Sequence, residues 1–165
     1  MLPTPIENMS ALKHVWDLTC KFNEIANKDT PTDKENLLSQ MKVIEEEVKE
    51  LREGIEQGDP IKTLDGCVDA LVTIFGMRQR LMNLGYDVTG AEFATADNND
   101  TKFFEKERAG EVLKLTEAKL GMKLELSYNE KHDRCAILDA AGKVRKPYYY
   151  VSNNLTEFTK GAKVL

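Results

Sequence analysis

An apolar stripe along residues 34–57 constrains the fold more than any other feature of the sequence. Its members recur at alternating steps of four and three residues, as Leu37, Met41, Ile44, Val48, Leu51 and Ile55. This spacing places them on one face of an α-helix. Gly58-Asp59-Pro60 ends the pattern, because glycine suits a helix C-terminus and proline cannot continue the turn. We predict a helix over about 34–57, capped by Thr32 or Asp33.

Two further stripes predict helices on either side. One covers about residues 9–27, and the other covers about 61–83 and is closed by Gly85. In the second, we expect the following side chains to face inward: Leu64, Val68, Leu71, Val72, Phe75 and Met82. Because only three residues separate the helices over 34–57 and 61–83, we expect them to be antiparallel neighbours.

The C-terminal half of the chain has a different pattern. Residues 86–101 are loop-like in composition, and a charged fourth helix is expected over about 103–120. KLELSYN and RCAILDAAGKV then alternate apolar and polar residues, which predicts two strands of a hairpin. The expected fold is mainly α: an antiparallel bundle with a four-helix core over residues 1–120, and a small β-hairpin appendage over 121–165 packed on it.

Composition excludes several classes of function. The net charge of -5 disfavours a general nucleic-acid binder, which needs a basic face to displace counterions. No apolar run approaches the roughly 20 residues that span a bilayer, and MLPTPIENMS lacks the regions of a signal peptide. Cys20, Cys67 and Cys135 are far apart, which indicates reduced thiols. We therefore expect a cytoplasmic protein with no nucleic-acid or membrane partner.

Acidic residues cluster on two of the predicted helices. Glu46, Glu47 and Glu50 lie three or four residues apart, so their side chains converge on the shoulder of the apolar stripe. On the next helix, Asp65 and Asp69 are four residues apart within an apolar segment. Antiparallel pairing could bring the two groups face to face. Carboxylate oxygens suit a hard cation such as Mg²⁺ or Mn²⁺.

A simpler interpretation stays open for the glutamates. Glutamate-rich helices are often only solvated faces, and neighbouring cations such as Lys49 and Arg52 offer ordinary ion pairs. The aspartates fit that interpretation less well, because aspartate is a poor helix former and these two interrupt an apolar segment. Zinc and di-iron sites are disfavoured, since His14 and His132 fall on neither acidic helix.

These segments resemble the MazG-like, all-α nucleoside triphosphate pyrophosphohydrolases, a family that includes dCTP and dUTP pyrophosphatases and phosphoribosyl-ATP pyrophosphohydrolase. The family carries an ExxE pair and a second acidic pair one helix later, similar to IEEEVKEL and LDGCVDALVTIFG here. NLGYDVTGAEFATADNNDTKF resembles the family's Asn-x-x-Lys element. GKVRKPYYYVSNNL resembles the tail of phage-encoded members. The commoner second pair has Glu at the position of Gly66, so Asp65 takes its place. The resemblance covers about residues 15–155.

The resemblance implies a Mg²⁺-dependent enzyme, with Mn²⁺ as a substitute, that hydrolyses (d)NTP to (d)NMP and pyrophosphate. It places Glu46, Glu47 and Glu50 on the family's metal ligands. Of these we expect Glu47 and Glu50 to hold the metal with Asp65 and Asp69, and Glu47 to be catalytic as well. Glu46 is expected instead to orient or deprotonate the attacking water as general base.

The resemblance also implies substrate contacts and a quaternary structure. Lys102 is expected to contact phosphate, and Asn99 to contact base or sugar. Members of this family form their sites between subunits, so a homodimer or a dimer of dimers is expected.

Two other functions stay open at the level of sequence. A non-catalytic helical interaction protein, such as a phage factor that binds a host protein, would keep the bundle and use its acidic shoulders as surface. A nucleic-acid-binding module would rest on the basic, tyrosine-rich segment from about residue 121 onward, although the net acidity opposes it.

Overall fold

The computed structural model describes residues 5–30 and 34–163. Its elements are α1 (Pro5–Ile25), α2 (Lys34–Gln57), α3 (Pro60–Asn83), α4 (Val88–Asp100), α5 (Ala109–Leu120), β1 (Glu125–Asn129) and β2 (Arg134–Leu138), with 3₁₀ turns at Lys106–Arg108 and Thr156–Thr159. The predicted mainly α fold with a β-hairpin near the C-terminus is confirmed. None of the helices in these described ranges is long and apolar enough to cross a membrane.

Contacts along the chain divide it into two units. The helical unit is Met1–Val88 with Phe158–Leu165, and the hairpin unit is Thr89–Glu157. The expected division was 1–120 and 121–165, whereas the observed boundary follows α3. The helical unit therefore holds three long helices, and α5 belongs with the hairpin, where the sequence predicted one four-helix core.

The connection between α2 and α3 follows the predicted chemistry. Gly58 adopts a left-handed backbone with φ of 66°, which costs glycine little because it has no Cβ. Asp59 caps α3, since its Oδ1 accepts hydrogen bonds from the backbone N–H groups of Ile61 at 2.9 Å and Lys62 at 3.1 Å. Pro60 is the first residue of α3, where a missing N–H has no cost.

Two glycines allow α2 and α3 to pack backbone against backbone. A Cβ added at Gly66 would lie 2.6 Å from the backbone nitrogen of Leu51, and one added at Gly54 would lie 2.6 Å from that of Thr63. Both glycines are buried. Because the residue earlier on α2 meets the residue later on α3, the helices run antiparallel, as predicted.

Helix α1 packs on α3 through aromatic and polar contacts. The rings of Trp16 and Phe75 meet edge to face, with centroids 5.7 Å apart. Asn23 donates to the side-chain oxygen of Gln79 at 2.9 Å, and both of these amides are buried. A buried amide must find a partner, so this pair fixes how the two helices align.

Arg80 adds a buried cation to the helical unit. Its side chain is 3% exposed, and it donates to Asn36 Oδ1 at 3.1 Å and to the backbone oxygen of Gly76 at 2.8 Å. These partners are neutral, so burial lowers the pKa of the guanidinium. Polar groups therefore occupy much of the interior in this unit.

Many large apolar side chains of α1, α2 and α3 remain exposed. They include Leu12, Phe22, Ile25, Leu38, Met41, Val48, Ile55, Ile61, Leu64, Val68, Ile74 and Met82. The prediction that α3 turns Leu64, Val68 and Met82 inward is wrong for this chain, since Leu64 alone is 66% exposed. Their apolar faces are wider than one three-helix unit can cover.

The hairpin unit has a dense apolar core. Strands β1 and β2 are antiparallel, from Glu125 opposite Leu138 to Asn129 opposite Arg134. Phe104 extends this sheet by a bridge to Cys135. The core consists of Phe104, Ala109, Val112, Leu124, Cys135 and Ile137.

Two boundaries in the middle of the chain differ from the prediction. Residues 86–101 were expected as loop, yet Val88–Asp100 is helical. This helix buries none of its residues, so it lacks the apolar periodicity on which the prediction depended. Helix α5 begins at Ala109 rather than about 103, because Phe104 pairs with β2. The proposed cap by Thr32 or Asp33 lies outside the described residues.

Candidate metal centre

The acidic residues of α2 and α3 lie on both sides of the close helix contact. On α2, Glu50 directly precedes Leu51. On α3, Asp65 directly precedes Gly66, where an added Cβ would collide with the backbone of Leu51. One helical turn further from this contact, α2 presents Glu47 and α3 presents Asp69 and Ala70. We refer to Glu46, Glu47, Glu50, Asp65 and Asp69 as the acidic cluster.

The other four carboxylates of the acidic cluster all influence the pKa of Glu47. The pKa of Glu47 is raised, first by burial and then by the negative charges of Asp69, Glu50, Glu46 and Asp65, in that order. Glu47 is half-buried, and the other four are exposed. The strongest of these charge effects comes from Asp69 on α3, so carboxylates of both helices lie close enough to influence Glu47.

The side chains of the acidic cluster do not converge on a single point. Within the described residues, no group of three or more His, Cys, Asp or Glu is placed to hold a metal ion. Because four of the five carboxylates are exposed, their side chains can rotate without disturbing the packed core. The contact between α2 and α3 fixes the backbone positions of these residues beside one another on the two helices.

The donor types in the acidic cluster suit a hard divalent cation. All five groups are carboxylates, the ligands that Mg²⁺ and Mn²⁺ prefer. His14 is exposed on α1, and His132 lies in the hairpin unit. A concentration of like charge that raises a carboxyl pKa is also the environment in which a cation binds most favourably.

One cation at the edge of the acidic cluster was missed from the sequence. Lys62 pairs with Glu53 at 2.8 Å, joining α3 to α2. The hydrogen bond with Glu53 is the main cause of the raised pKa of Lys62, and the charge of Glu50 adds to it. Lys62 and Glu53 are nine residues apart, so helical spacing on one segment does not reveal this pair.

The expected substrate-binding residues lie in the hairpin unit. Asn99 is near the end of α4 and is exposed, and Lys102 follows the helix and is half-buried. The Lys102 ammonium donates to Asn99 Oδ1 at 2.6 Å. The structure therefore pairs these two residues with each other, while the acidic cluster belongs to the helical unit.

Gly66 limits which residues of α3 can serve as ligands. It is buried, and a Cβ added there would lie 2.6 Å from the backbone nitrogen of Leu51 on α2. No side chain fits there, so a ligand on α3 must come from Asp65 or Asp69. A glycine inside an apolar helical stretch was the signal for this close approach.

Comparisons with known proteins add no assignment. No family model, no curated protein and no solved structure matches the chain. The resemblance noted in the sequence stays a prediction, and the case for a site rests on the residues themselves.

Proposed function

We propose that this protein is a Mg²⁺-dependent nucleoside triphosphate pyrophosphohydrolase, which converts a (d)NTP into the (d)NMP and pyrophosphate. The observation that carries this proposal is the close contact of α2 and α3 at Gly66 and Leu51, which has carboxylates of both helices beside it. The raised pKa of Glu47, caused first by burial and then by these carboxylates, agrees with it. Together they indicate a patch where two antiparallel helices concentrate negative charge, and such a patch gains most from a divalent cation.

Four members of the acidic cluster are proposed as the metal ligands. Glu47 and Glu50 come from α2, and Asp65 and Asp69 come from α3, so the two helices would contribute equally. Mg²⁺, for which Mn²⁺ can substitute, neutralises phosphate charge and makes phosphorus easier to attack when it is bound. Without neutralisation, a triphosphate would be repelled by the carboxylates that line this patch.

Glu46 is proposed as the general base. It is exposed on α2, and its charge also raises the pKa of Glu47, so it lies close to the proposed ligands. A carboxylate in this position can accept a proton from water. The water would attack the α or β phosphorus and break the anhydride bond between them, which gives the (d)NMP and pyrophosphate.

Asn99 and Lys102 are proposed as substrate contacts. The Lys102 ammonium carries a positive charge suited to phosphate oxygens, and its hydrogen bond to Asn99 holds the two side chains together. Asn99 retains its amide N–H groups as donors for a base or sugar.

A homodimer, or a dimer of two dimers, is proposed as the working form. The helical unit exposes apolar side chains on all three of its helices, and contiguous apolar surface on a folded protein commonly marks an interface. Ile55 and Leu64 border one such surface, where α2 turns into α3. A second copy of the chain carries the same surface, so a dimer with two-fold symmetry would bury this surface on both subunits.

Product analysis tests the proposed reaction. The purified protein is incubated with Mg²⁺ and each common NTP and dNTP, and the products are separated and identified. Monophosphate and pyrophosphate are the expected products. If orthophosphate and diphosphate form instead, the proposed bond cleavage is wrong.

Matched variants connect the reaction with the acidic cluster. Glu47→Gln and Asp69→Asn remove one charge each and should lower kcat/KM at least about a hundredfold, as loss of metal-site groups does. Glu45→Gln removes the same charge from the same segment of α2 without touching the acidic cluster, and should leave turnover unchanged. Equal activity in all three variants would contradict the assignment of the ligands.

A second candidate function is favoured by the exposed apolar faces. A non-catalytic helical protein that binds another protein would use the same surface of α1, α2 and α3. It predicts that folded protein turns over none of the nucleotides and that Glu47→Gln leaves partner binding intact. The turnover assay therefore separates the two functions.

A further inference from the structure

The hairpin unit contains a small cleft with an unusual concentration of positive charge. Its volume is about 330 Å³, and its lining consists of Lys102, Leu120, Lys143, Val144, Arg145 and Lys146. Four of these six residues are cationic, and none is acidic. Small-molecule sites begin at a volume of about 300 Å³, so the cleft has room for one small ligand.

Most of this positive charge lacks a carboxylate partner. Among the described residues, Lys102, Lys143 and Lys146 make no ion pair with Asp or Glu. Arg145 pairs with Asp139 at 3.4 Å. Cations held together without counter-charges repel one another, and an anion placed between them removes that repulsion.

One aromatic ring lies close to two of the ammonium groups. The Lys102 Nζ lies 5.8 Å from the centroid of the Tyr150 ring, and the Lys146 Nζ lies 4.9 Å from it. Tyr150 is half-buried, and its hydroxyl donates to Asn98 Oδ1. Two lysines far apart in sequence are therefore positioned by the same fixed side chain, through attraction to its π face.

Backbone hydrogen bonds fix the segment that supplies the other cations. Asp139 Oδ1 accepts from the N–H groups of Ala141 and Lys143, each at 3.0 Å. The N–H of Arg145 donates to the carbonyl of Ile137 at 2.8 Å, which attaches the segment to β2. The cleft is thus built on the sheet of the hairpin unit, and a site on a rigid element loses little entropy when it binds.

We propose that this cleft binds the oligophosphate chain of a small phosphorylated ligand. Several cations around one small volume match several adjacent phosphates better than a single carboxylate or sulfate. The cleft is small, and the chain carries a net charge of -5, so a compact oligophosphate fits better than a polynucleotide. For the identity of the ligand as a nucleoside triphosphate, this inference rests on the proposed function.

Calorimetric titration of the full chain with inorganic tripolyphosphate tests the cleft. The titration is done in EDTA at low salt, which removes metal-dependent binding to the acidic cluster. We expect one tripolyphosphate to bind per chain. The double variant Lys143→Gln with Lys146→Gln should bind at least about tenfold more weakly, since each lost ammonium removes a charge-assisted hydrogen bond.

The control removes the same charge elsewhere in the hairpin unit. Lys114 and Lys131 are exposed and do not line the cleft, so Lys114→Gln with Lys131→Gln should bind tripolyphosphate as the wild type does. Circular dichroism checks that both double variants are folded. Equal weakening in the two double variants would show only general attraction to charge and would overturn the proposal.

Two further results separate the cleft from its competitors. Glu47→Gln should retain tripolyphosphate binding while losing turnover, which distinguishes failure of the cleft from failure of the proposed reaction. If wild-type protein binds no tripolyphosphate in EDTA, the cleft assignment is wrong even where turnover is present. It is also wrong if a single-stranded oligonucleotide without terminal phosphates displaces tripolyphosphate at equal phosphate concentration.

Discussion

The helical unit and the hairpin unit bury their side chains to different degrees. In the hairpin unit, Val112, Cys135 and Ile137 have no exposed surface, and Phe104 is 1% exposed. In the helical unit, few large apolar side chains are buried, whereas the polar side chains of Asn23, Gln79 and Arg80 are. A 69-residue segment therefore completes a core that the longer helical segment does not.

This difference indicates where each unit obtains its stability. The hairpin unit is stabilised mainly by burial of apolar side chains, which offsets the conformational entropy lost on folding. The helical unit uses hydrogen bonds between buried polar groups and leaves apolar surface on its exterior. A second copy of the chain would bury that surface. This is the reason that a homodimer is proposed as the working form.

Truncation of Phe104 should have the largest effect on stability. Phe104→Ala removes a buried ring from the core of the hairpin unit, which should lower the free energy of unfolding by about 3–5 kcal/mol. Phe103 is the matched control, because it is the same residue type, adjacent in sequence, and 36% exposed. Phe103→Ala should cost less than about 1 kcal/mol. Urea unfolding followed by circular dichroism measures both, and equal losses would show that the core is elsewhere.

Substitution of two glycines should have opposite effects in the two units. Gly66→Ala would push a methyl group against the backbone of Leu51, and should cost about 1–3 kcal/mol. In α5, a Cβ at Gly110 meets nothing within 4 Å, so Gly110→Ala should stabilise by about 0.5–1 kcal/mol. Thermal unfolding compares them. A neutral Gly66→Ala would contradict the close contact of α2 and α3.

Polar substitution of the exposed face of the helical unit should weaken self-association. Ile55→Gln with Leu64→Gln changes two side chains that border the surface at the α2–α3 turn. We expect the Kd of the dimer to rise at least about tenfold, as measured by sedimentation equilibrium. The control is Leu126→Gln with Val144→Gln, which alters exposed apolar residues of the hairpin unit. A monomeric wild type would remove the dimer from the proposal.

Neutralisation of Glu47 should have the smallest effect on stability, and its sign depends on pH. A raised pKa in the folded chain means that Glu47 favours folding when protonated and opposes it once pH rises through that pKa. In EDTA at about pH 7, Glu47→Gln should therefore stabilise the chain, by about 0.5 kcal/mol. The gain should vanish in acid, below the unfolded pKa. Glu45→Gln should show no such gain, and a gain independent of pH would contradict repulsion within the acidic cluster.

Periodicity predicted the long helices well, because their apolar residues follow a helical repeat whatever covers them. The ends of α2 matched the predicted 34–57, since Gly58 and Pro60 act locally. Helix α4 was missed because its sequence, VTGAEFATADNND, has no apolar helical repeat. The prediction that Leu64 faces inward was wrong. An apolar stripe shows that a helix has an apolar face, but it does not show whether the same chain or another molecule packs on that face.

Part of the candidate site could also be predicted from the sequence, and part depended on the fold. Spacing alone placed Glu47 and Glu50 together on one helix, and the short α2–α3 connection placed Asp69 opposite them. The contact that aligns these residues depends on Gly66. A glycine in an apolar helical stretch signals a close approach, but it does not identify the residue that it meets. The cleft around Lys102 was not predicted, because a fold and not a local repeat brings Lys102 near Lys146.

Binding of Mn²⁺, followed by electron paramagnetic resonance, tests the central claim most directly, because it measures the acidic cluster without substrate. Free Mn²⁺ signal should fall as wild-type protein is added. Glu45→Gln should bind Mn²⁺ like the wild type, whereas Glu47→Gln and Asp69→Asn should each bind at least about tenfold more weakly. If all four proteins bind Mn²⁺ alike, or none binds it, then α2 and α3 do not form a metal centre.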